Sequence, residues 1–239
     1  MITRIKIFLA FITVILLWQA YKLRSIILEN YEVQELAESV KVVDETNVHQ
    51  VLITVYYEAL CPDSKSFIKT ELIPTYNKLE DAVRIQLIPY GKAETIIQDD
   101  NYLFKCQHGE PECEANIFHA CSINKIKSTK KQLDVVACMM KRSQSAQSMF
   151  NSCAKNFDEY NDILNCSQSK EGRELLAHYG KLTQDLDPKA SIIPTITLDD
   201  EANNEEKLKK ILKNLLLEVC QRFDAPPKEC TPELKAHLH

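Results

Sequence analysis

The stretch from Val51 to Ser64, VLITVYYEALCPDS, restricts the fold of this chain more than any other. It opens on an apolar, β-branched and aromatic run, Val51 to Tyr57, long enough for one fully buried strand. Cys61 and Pro62 follow, and beyond them a helical pattern begins. Proline suits the first turn of a helix, where its missing N–H costs nothing, so Cys61 falls at a helix N-terminus. Unpaired N–H groups and the positive end of the helix dipole there favour a thiolate over a thiol. The bland alternative is a cysteine serving as a small buried hydrophobe. The helix-start position, Pro62, and a second proline, Pro194, opening a later strand all weigh toward redox chemistry.

Cysteine usage sets the compartment. The chain carries nine cysteines, at 61, 106, 113, 121, 138, 153, 166, 220 and 230, many for 239 residues. An oxidising compartment is the simplest reading. Without Cys61 an even set remains, Cys106, Cys113, Cys121, Cys138, Cys153, Cys166, Cys220 and Cys230, able to form structural disulfides. Spacing alone singles out only Cys220 with Cys230 as a pair. The N-terminus agrees with this compartment: Arg4 and Lys6 precede the apolar run Ile7 to Trp18, which marks residues 1–20 as a secretory signal. That run is shorter than the ~20 residues a spanning helix needs. Cleavage after Ala20 puts bulky Trp18 at the third position before the cut, so an uncleaved signal anchor stays open. The protein meets a membrane only in that second case. In both, the remainder enters the secretory pathway, toward the lysosome or endosome or the exterior.

Other classes are excluded by what the chain lacks. A net charge of −5 with dispersed signs argues against nucleic acid as a partner. The densest basic run, Lys125, Lys127, Lys130 and Lys131, reads as a solvated helix face. The glycines, Gly91, Gly109, Gly172 and Gly180, build no phosphate-binding loop and no nucleophile elbow, which removes nucleotide folds and serine hydrolases.

Residues 21–50 are acid-rich and read as a polar linker. After Cys61, Phe67, Ile68, Leu72, Tyr76 and Leu79 recur at helical spacing, with Pro74 expected to kink the helix. Arg84 to Pro89 is the next strand. From about Gly91 to Cys166 the pattern changes to short amphipathic helical pieces crowded with cysteines, an insertion within the domain. Regular alternation then returns: a helix over Glu171 to Leu182, a strand over Ile192 to Leu198, a turn over Asp199 to Asn204. An unbroken amphipathic helix is expected over Glu205 to Cys220, and residues 231–239 read as a tail. The fold class is therefore α/β: a thioredoxin-like domain, 51–230, with a disulfide-rich helical insertion at about 91–166. In such folds the proline at the position of Pro194 is cis, with its backbone facing the reactive sulfur. Sequence does not reveal the isomer.

Cys106 through Cys121 reads C-Q-H-G-E-P-E-C-E-A-N-I-F-H-A-C. Cys106, His108, Cys113, His119 and Cys121 are at spacings open to zinc, but an oxidising lumen favours disulfides. The stretch matches the signature C-Q-H-G-x-x-E-C-x-x-N-x-x-x-x-C at every fixed position. It resembles the gamma-interferon-inducible lysosomal thiol reductase family, and YYEALCPDS resembles that family's insect members. The similarity covers about Val51 to Cys230. It implies a thioredoxin-like fold and reductases that break protein disulfides in acidic endosomes or lysosomes, assisting antigen processing in mammals.

One position departs from the family's mammalian C-x-x-C: Ser64 replaces the second cysteine. In a dithiol reductase the first thiolate attacks a substrate disulfide and the second thiol resolves the mixed disulfide. Ser64 cannot resolve it, but is able to donate a hydrogen bond to the Cys61 sulfur. The reading that follows is a thiol–disulfide oxidoreductase working through Cys61 alone. Its substrates are disulfide-containing proteins, and it needs no bound cofactor. An external small thiol, cysteine or glutathione, is the reductant. The alternative is a redox-inactive protein that uses the Cys61 groove to capture polypeptides, and a small cell-surface recognition domain is a third. Asn165-Cys166-Ser167 is a formal N-glycosylation sequon.

Overall fold

The computed structural model describes residues 50–99, 101–141, 145–201 and 204–237, with 18, 19, 22 and 24. The signal segment and linker expected over 1–20 and 21–50 lie, but for those few positions, outside the described residues. The chain divides into two compact units, Met1–Val48 and His49–His239, and the second carries everything below. No helix among the described residues is long and apolar enough to cross a membrane.

Strand β1 (Val51–Tyr57) is central in a three-stranded sheet. It pairs in parallel with β2 (Val83–Pro89), Val51 opposite Val83 and Tyr57 opposite Pro89. On its other edge β5 (Thr195–Leu198) runs antiparallel, Ile53 opposite Leu198 and Tyr56 opposite Thr195. Both faces of β1 are covered: Val51, Ile53, Val55 and Tyr57 are fully buried on one, Thr54 and Tyr56 nearly so on the other. That double burial is why its sequence is a continuous apolar run rather than an alternation.

Parallel pairing needs a crossover. It is supplied by α1 (Pro62–Phe67), a π-helical turn over Ile68–Leu72, and α2 (Ile73–Leu79). The π turn accommodates Pro74 where a kink was expected. Pro74 has no N–H for the carbonyl of Thr70 and its ring would crowd that carbonyl. The widened turn instead sends the Ile73 N–H to the carbonyl of Ile68.

The region after β2 corrects the expectation of a purely helical insertion. It begins with a β-hairpin, β3 (Glu94–Gln98) and β4 (Asn101–Lys105), and only then turns helical. The helices are α3 (Glu110–Lys125), α4 (Thr129–Met139), α5 (Ala146–Ala154), α6 (Tyr160–Gln168) and α7 (Lys170–Gln184). Three disulfides lie here: Cys106–Cys113, Cys121–Cys166 and Cys138–Cys153. Cys121–Cys166 joins α3 to α6, and Cys138–Cys153 joins α4 to α5.

Beyond β5, Asp199 and Asp200 take positive φ, 53° and 59°. Asp199 continues the ladder past the strand end, its N–H donating to Leu52 O and its Oδ1 accepting from Leu52 N–H, both at 2.8 Å. The single helix expected over 205–220 is broken into α8 (Glu205–Lys213) and α9 (Leu215–Cys220). Asn214 leaves helical geometry at φ −154°, ψ 78°, and its side chain caps α9 by accepting from the Leu217 N–H. Cys220 bonds to Cys230. The expected tail is helical over its described residues, α10 (Thr231–His237).

Candidate thiol site

Cys61 caps α1 in extended geometry, φ −70° and ψ 124°, with Pro62 as the first helical residue. Its N–H donates to Glu58 O at 3.3 Å and its carbonyl accepts from Lys65 N–H at 3.1 Å, which fixes the turn that follows β1. Cys61 is the one free cysteine and is 8% exposed. Its Sγ lies 3.8 Å from the carbonyl oxygen of Ile193. The Ile193–Pro194 peptide is cis, and Pro194 is buried. Cys61 and the Ile193–Pro194 peptide thus meet at one place, with Ser64 in the same first turn of α1. Asn165 is exposed on α6.

Ser64 meets a backbone donor that the sequence did not suggest. It is fully buried, and its Oγ accepts from the backbone N–H of Glu58 at 3.4 Å. It therefore ties the first turn of α1 back to the end of β1.

The other wall of the site is α3, and sequence reasoning missed what it does. Its buried face carries Glu112, Asn116 and His119, four and then three residues apart and so on one side of the helix. Each meets a residue of the chain leading to Cys61. Glu112 Oε2 accepts from Leu60 N–H at 3.3 Å, and Asn116 Oδ1 from Ala59 N–H at 2.9 Å. His119 Nδ1 pairs with the Tyr57 hydroxyl at 3.0 Å. Burial lowers the His119 pKa to about 3, so this imidazole is neutral. The signal for this polar face was in the sequence: Glu112 and Asn116 are fixed positions of the cysteine signature.

Glu112 is held in turn. His108 donates its backbone N–H to Glu112 Oε1 at 3.0 Å, and its Nδ1 lies 2.6 Å from Oε2. The same Nδ1 lies 3.5 Å from Glu58 Oε2. Glu58 is buried, and its Oε1 accepts from Lys92 N–H at 2.8 Å. Burial raises the Glu58 pKa above the ordinary carboxylate value; the nearby Glu112 adds to the rise, and the Lys92 N–H and His108 oppose it. Gly91 makes this packing possible. It has φ +61°, and a side chain there would run into the carboxyl arm of Glu58.

Glu58, His108 and Glu112 offer ligand atoms within 4.8 Å of one another, close enough for a cation. Their carboxylates already accept from the N–H groups of Leu60, His108 and Lys92, so the cluster is complete as a hydrogen-bonded brace. The zinc set considered from the sequence is not assembled. Cys106 and Cys113 are bonded to each other, Cys121 is bonded to Cys166, and His119 faces Tyr57.

A sheet that delivers a lone thiol to a helix start beside a cis-proline peptide defines a thioredoxin-like protein. In agreement, the fold matches that of Chlamydia trachomatis DsbA, with a TM-score of 0.50 and 12% identity over 75% of this chain and 91% of that one. The family profile described as "Gamma interferon inducible lysosomal thiol reductase (GILT)" matches residues 52–157. The Anopheles gambiae "Gamma-interferon-inducible lysosomal thiol reductase-like protein" is 32% identical over 76% of this chain and 80% of its own length. The Carassius auratus "Gamma-interferon-inducible lysosomal thiol reductase" is 29% identical over 79% of this chain and 75% of its own length. The chain belongs to the gamma-interferon-inducible lysosomal thiol reductase family.

Proposed function

We propose that this family member is a monothiol thiol–disulfide oxidoreductase acting on protein disulfides in the secretory pathway. The observation that carries the reading is the placement of Cys61: the one free thiol, at a helix start, against the Ile193 carbonyl, with Ser64 where a resolving cysteine would stand. The Cys61 thiolate attacks one sulfur of a substrate disulfide. A Cys61–substrate disulfide forms, and the other substrate sulfur leaves as a thiolate. A small thiol such as glutathione or cysteine then attacks the mixed disulfide and releases the first substrate sulfur, leaving Cys61 bonded to the small thiol. A second small thiol attacks that bond, regenerates the Cys61 thiolate and departs as an oxidised pair. Two small thiols are oxidised for each disulfide reduced.

Eight cysteines in disulfides support an oxidising, lumenal or extracellular setting, and relatives named lysosomal support an acidic one. In that pathway the exposed Asn165 becomes a glycan acceptor, read as a gel shift on treatment with a glycosidase.

The test is trapping. Native protein mixed with a disulfide-bearing protein should give a covalent complex on non-reducing gels that added glutathione dissolves, and Cys61→Ala should give none. Non-covalent, stoichiometric capture that persists in Cys61→Ala would favour the polypeptide-binding alternative.

A further inference from the structure

We infer that Glu112 is a positioning residue for the Cys61 sulfur, acting through the backbone of the turn that carries it; this rests on the thiol-exchange reading above. The turn from Glu58 to Cys61 is a loop between a strand and a helix, and such loops owe their shape to whatever satisfies their N–H groups. Here two successive donors, Ala59 N–H and Leu60 N–H, point at α3 and are met by Asn116 Oδ1 and Glu112 Oε2. The Leu60 N–H belongs to the Ala59–Leu60 peptide, whose orientation places the Leu60 Cα from which the peptide to Cys61 starts.

The surroundings of Glu112 suit an acceptor fixed in place. It is fully buried, both its oxygens accept, and His108 grips it through the backbone N–H and the ring. The Cys106–Cys113 disulfide closes the short loop that carries His108, so the grip is tied covalently to α3. A carboxylate is required chemically. Donors approach both oxygens, and an amide at position 112 offers one acceptor where two are used, turning an N–H toward another N–H. Attack on a disulfide is demanding in direction, since the nucleophile must approach along the S–S axis of a bulky partner. Alkylation by a small reagent is less so, because the reagent can adjust to the sulfur.

The experiment compares native chain, Glu112→Gln and the exposed control Glu114→Gln, all checked for folding by circular dichroism. Two rates are read at Cys61. One is exchange with an aromatic disulfide that releases a coloured thiolate; the other is alkylation by iodoacetamide. Glu112→Gln should slow exchange about tenfold or more while alkylation changes by less than about twofold, because misplacement rather than loss of the thiol is at work. Amide hydrogen exchange should rise at residues 59–61, and Glu114→Gln should match the native chain. Should Glu112→Gln not fold, His108→Ala takes its place; it keeps Glu112 and removes the side chain that fixes it, and the same split of rates is expected.

Equal slowing of both rates, or no slowing, overturns the inference. So does failure of both variants to fold, which would make the brace a support of the fold alone. A native chain that does not exchange at all overturns the underlying function instead.

Discussion

The two walls of the Cys61 turn are built on different principles. The sheet side, β1 with its continuation into α1, is held by apolar burial: Val51, Ile53, Val55 and Tyr57 are inaccessible to solvent, and Phe67, Ile68 and Leu72 pack behind them. The helical side adds covalent cross-links to burial, with three of the four disulfides, and spends part of its buried surface on polar groups. Glu112, Asn116 and His119 sit where a plain core helix would carry aliphatic residues, and they address Leu60, Ala59 and Tyr57 in turn. Burying polar groups costs least when they are paired and held: both oxygens of Glu112 are met, whereas Asn116 Nδ2 and His119 Nε2 are buried without a partner among the described residues. The difference teaches that one wall supplies stability through shape, whereas the other supplies specific acceptors and needs cross-links to keep them in register.

The largest expected effect comes from cutting the longest cross-link of the helical wall. Replacing Cys121 and Cys166 together by alanine opens a link of 45 residues and should cost about 4 kcal/mol on the chain-entropy account. Denaturant unfolding measures it, and the same double replacement at Cys106 and Cys113, a separation of 7, should cost nearer about 2.5 kcal/mol. Equal costs would mean that local packing, not chain restraint, sets the value of these bonds.

On the sheet side, Ile53→Ala removes a fully buried side chain from the central strand and should cost about 3 kcal/mol, again by denaturant unfolding. This loss should be present with all disulfides intact, and the rates at Cys61 should change little in the folded fraction. A selective loss of exchange would show that the sheet aims the sulfur as much as α3 does.

Those effects follow from features visible in the sequence to different degrees. β1 and Cys61 at a helix start were legible because an unbroken apolar run meets proline punctuation; the strand expected over Ile192 to Leu198 was legible in part, since it begins only after Pro194, at Thr195. The β3–β4 hairpin was not, since both strands are largely exposed and Ile96, Ile97 and Leu103 present apolar side chains to solvent. The only alternation there is on β4, where Tyr102 and Phe104 are half-buried and Phe104 packs against Tyr90, Ala93 and Leu176, too short a pattern to stand out. The break at Asn214 was hidden because apolar spacing runs through it, and only a side-chain cap marks the new start. The polar face of α3 escaped for a related reason: periodicity counts apolar residues, and the residues that brace the thiol turn are not apolar.

Acid should separate the walls further, by a smaller amount. His119 has a pKa of about 3 in the folded protein against 6.5 ordinarily, so between these values the unfolded chain takes up a proton that the folded chain refuses. Stability from this group is full above pH 6.5 and falls as pH drops, by about 2 kcal/mol on reaching pH 5. Glu58 acts in the opposite sense. Its pKa is raised, so its contribution is full below the ordinary 4.5 and is lost as pH rises through the raised value. Melting temperatures from pH 7 to pH 5 should fall less in His119→Phe than in the native chain, and more in Glu58→Gln. Parallel curves for all three would show that neither buried group is coupled to folding.

The most direct test of the central claim is how the steady-state rate of protein-disulfide reduction depends on glutathione concentration, in the native chain and in Ser64→Cys. On the proposed monothiol reading, with Cys61 the one free thiol and Ser64 unable to form a disulfide, release of each mixed disulfide waits for an external thiol. The native rate should therefore rise in proportion to glutathione at low concentration, while the covalent complex accumulates when glutathione is withheld. In Ser64→Cys a thiol three residues along the same turn resolves the complex internally, so the dependence should flatten and the complex become scarce. A native rate independent of glutathione, or no reduction at any concentration with no gain in Ser64→Cys, would contradict the account.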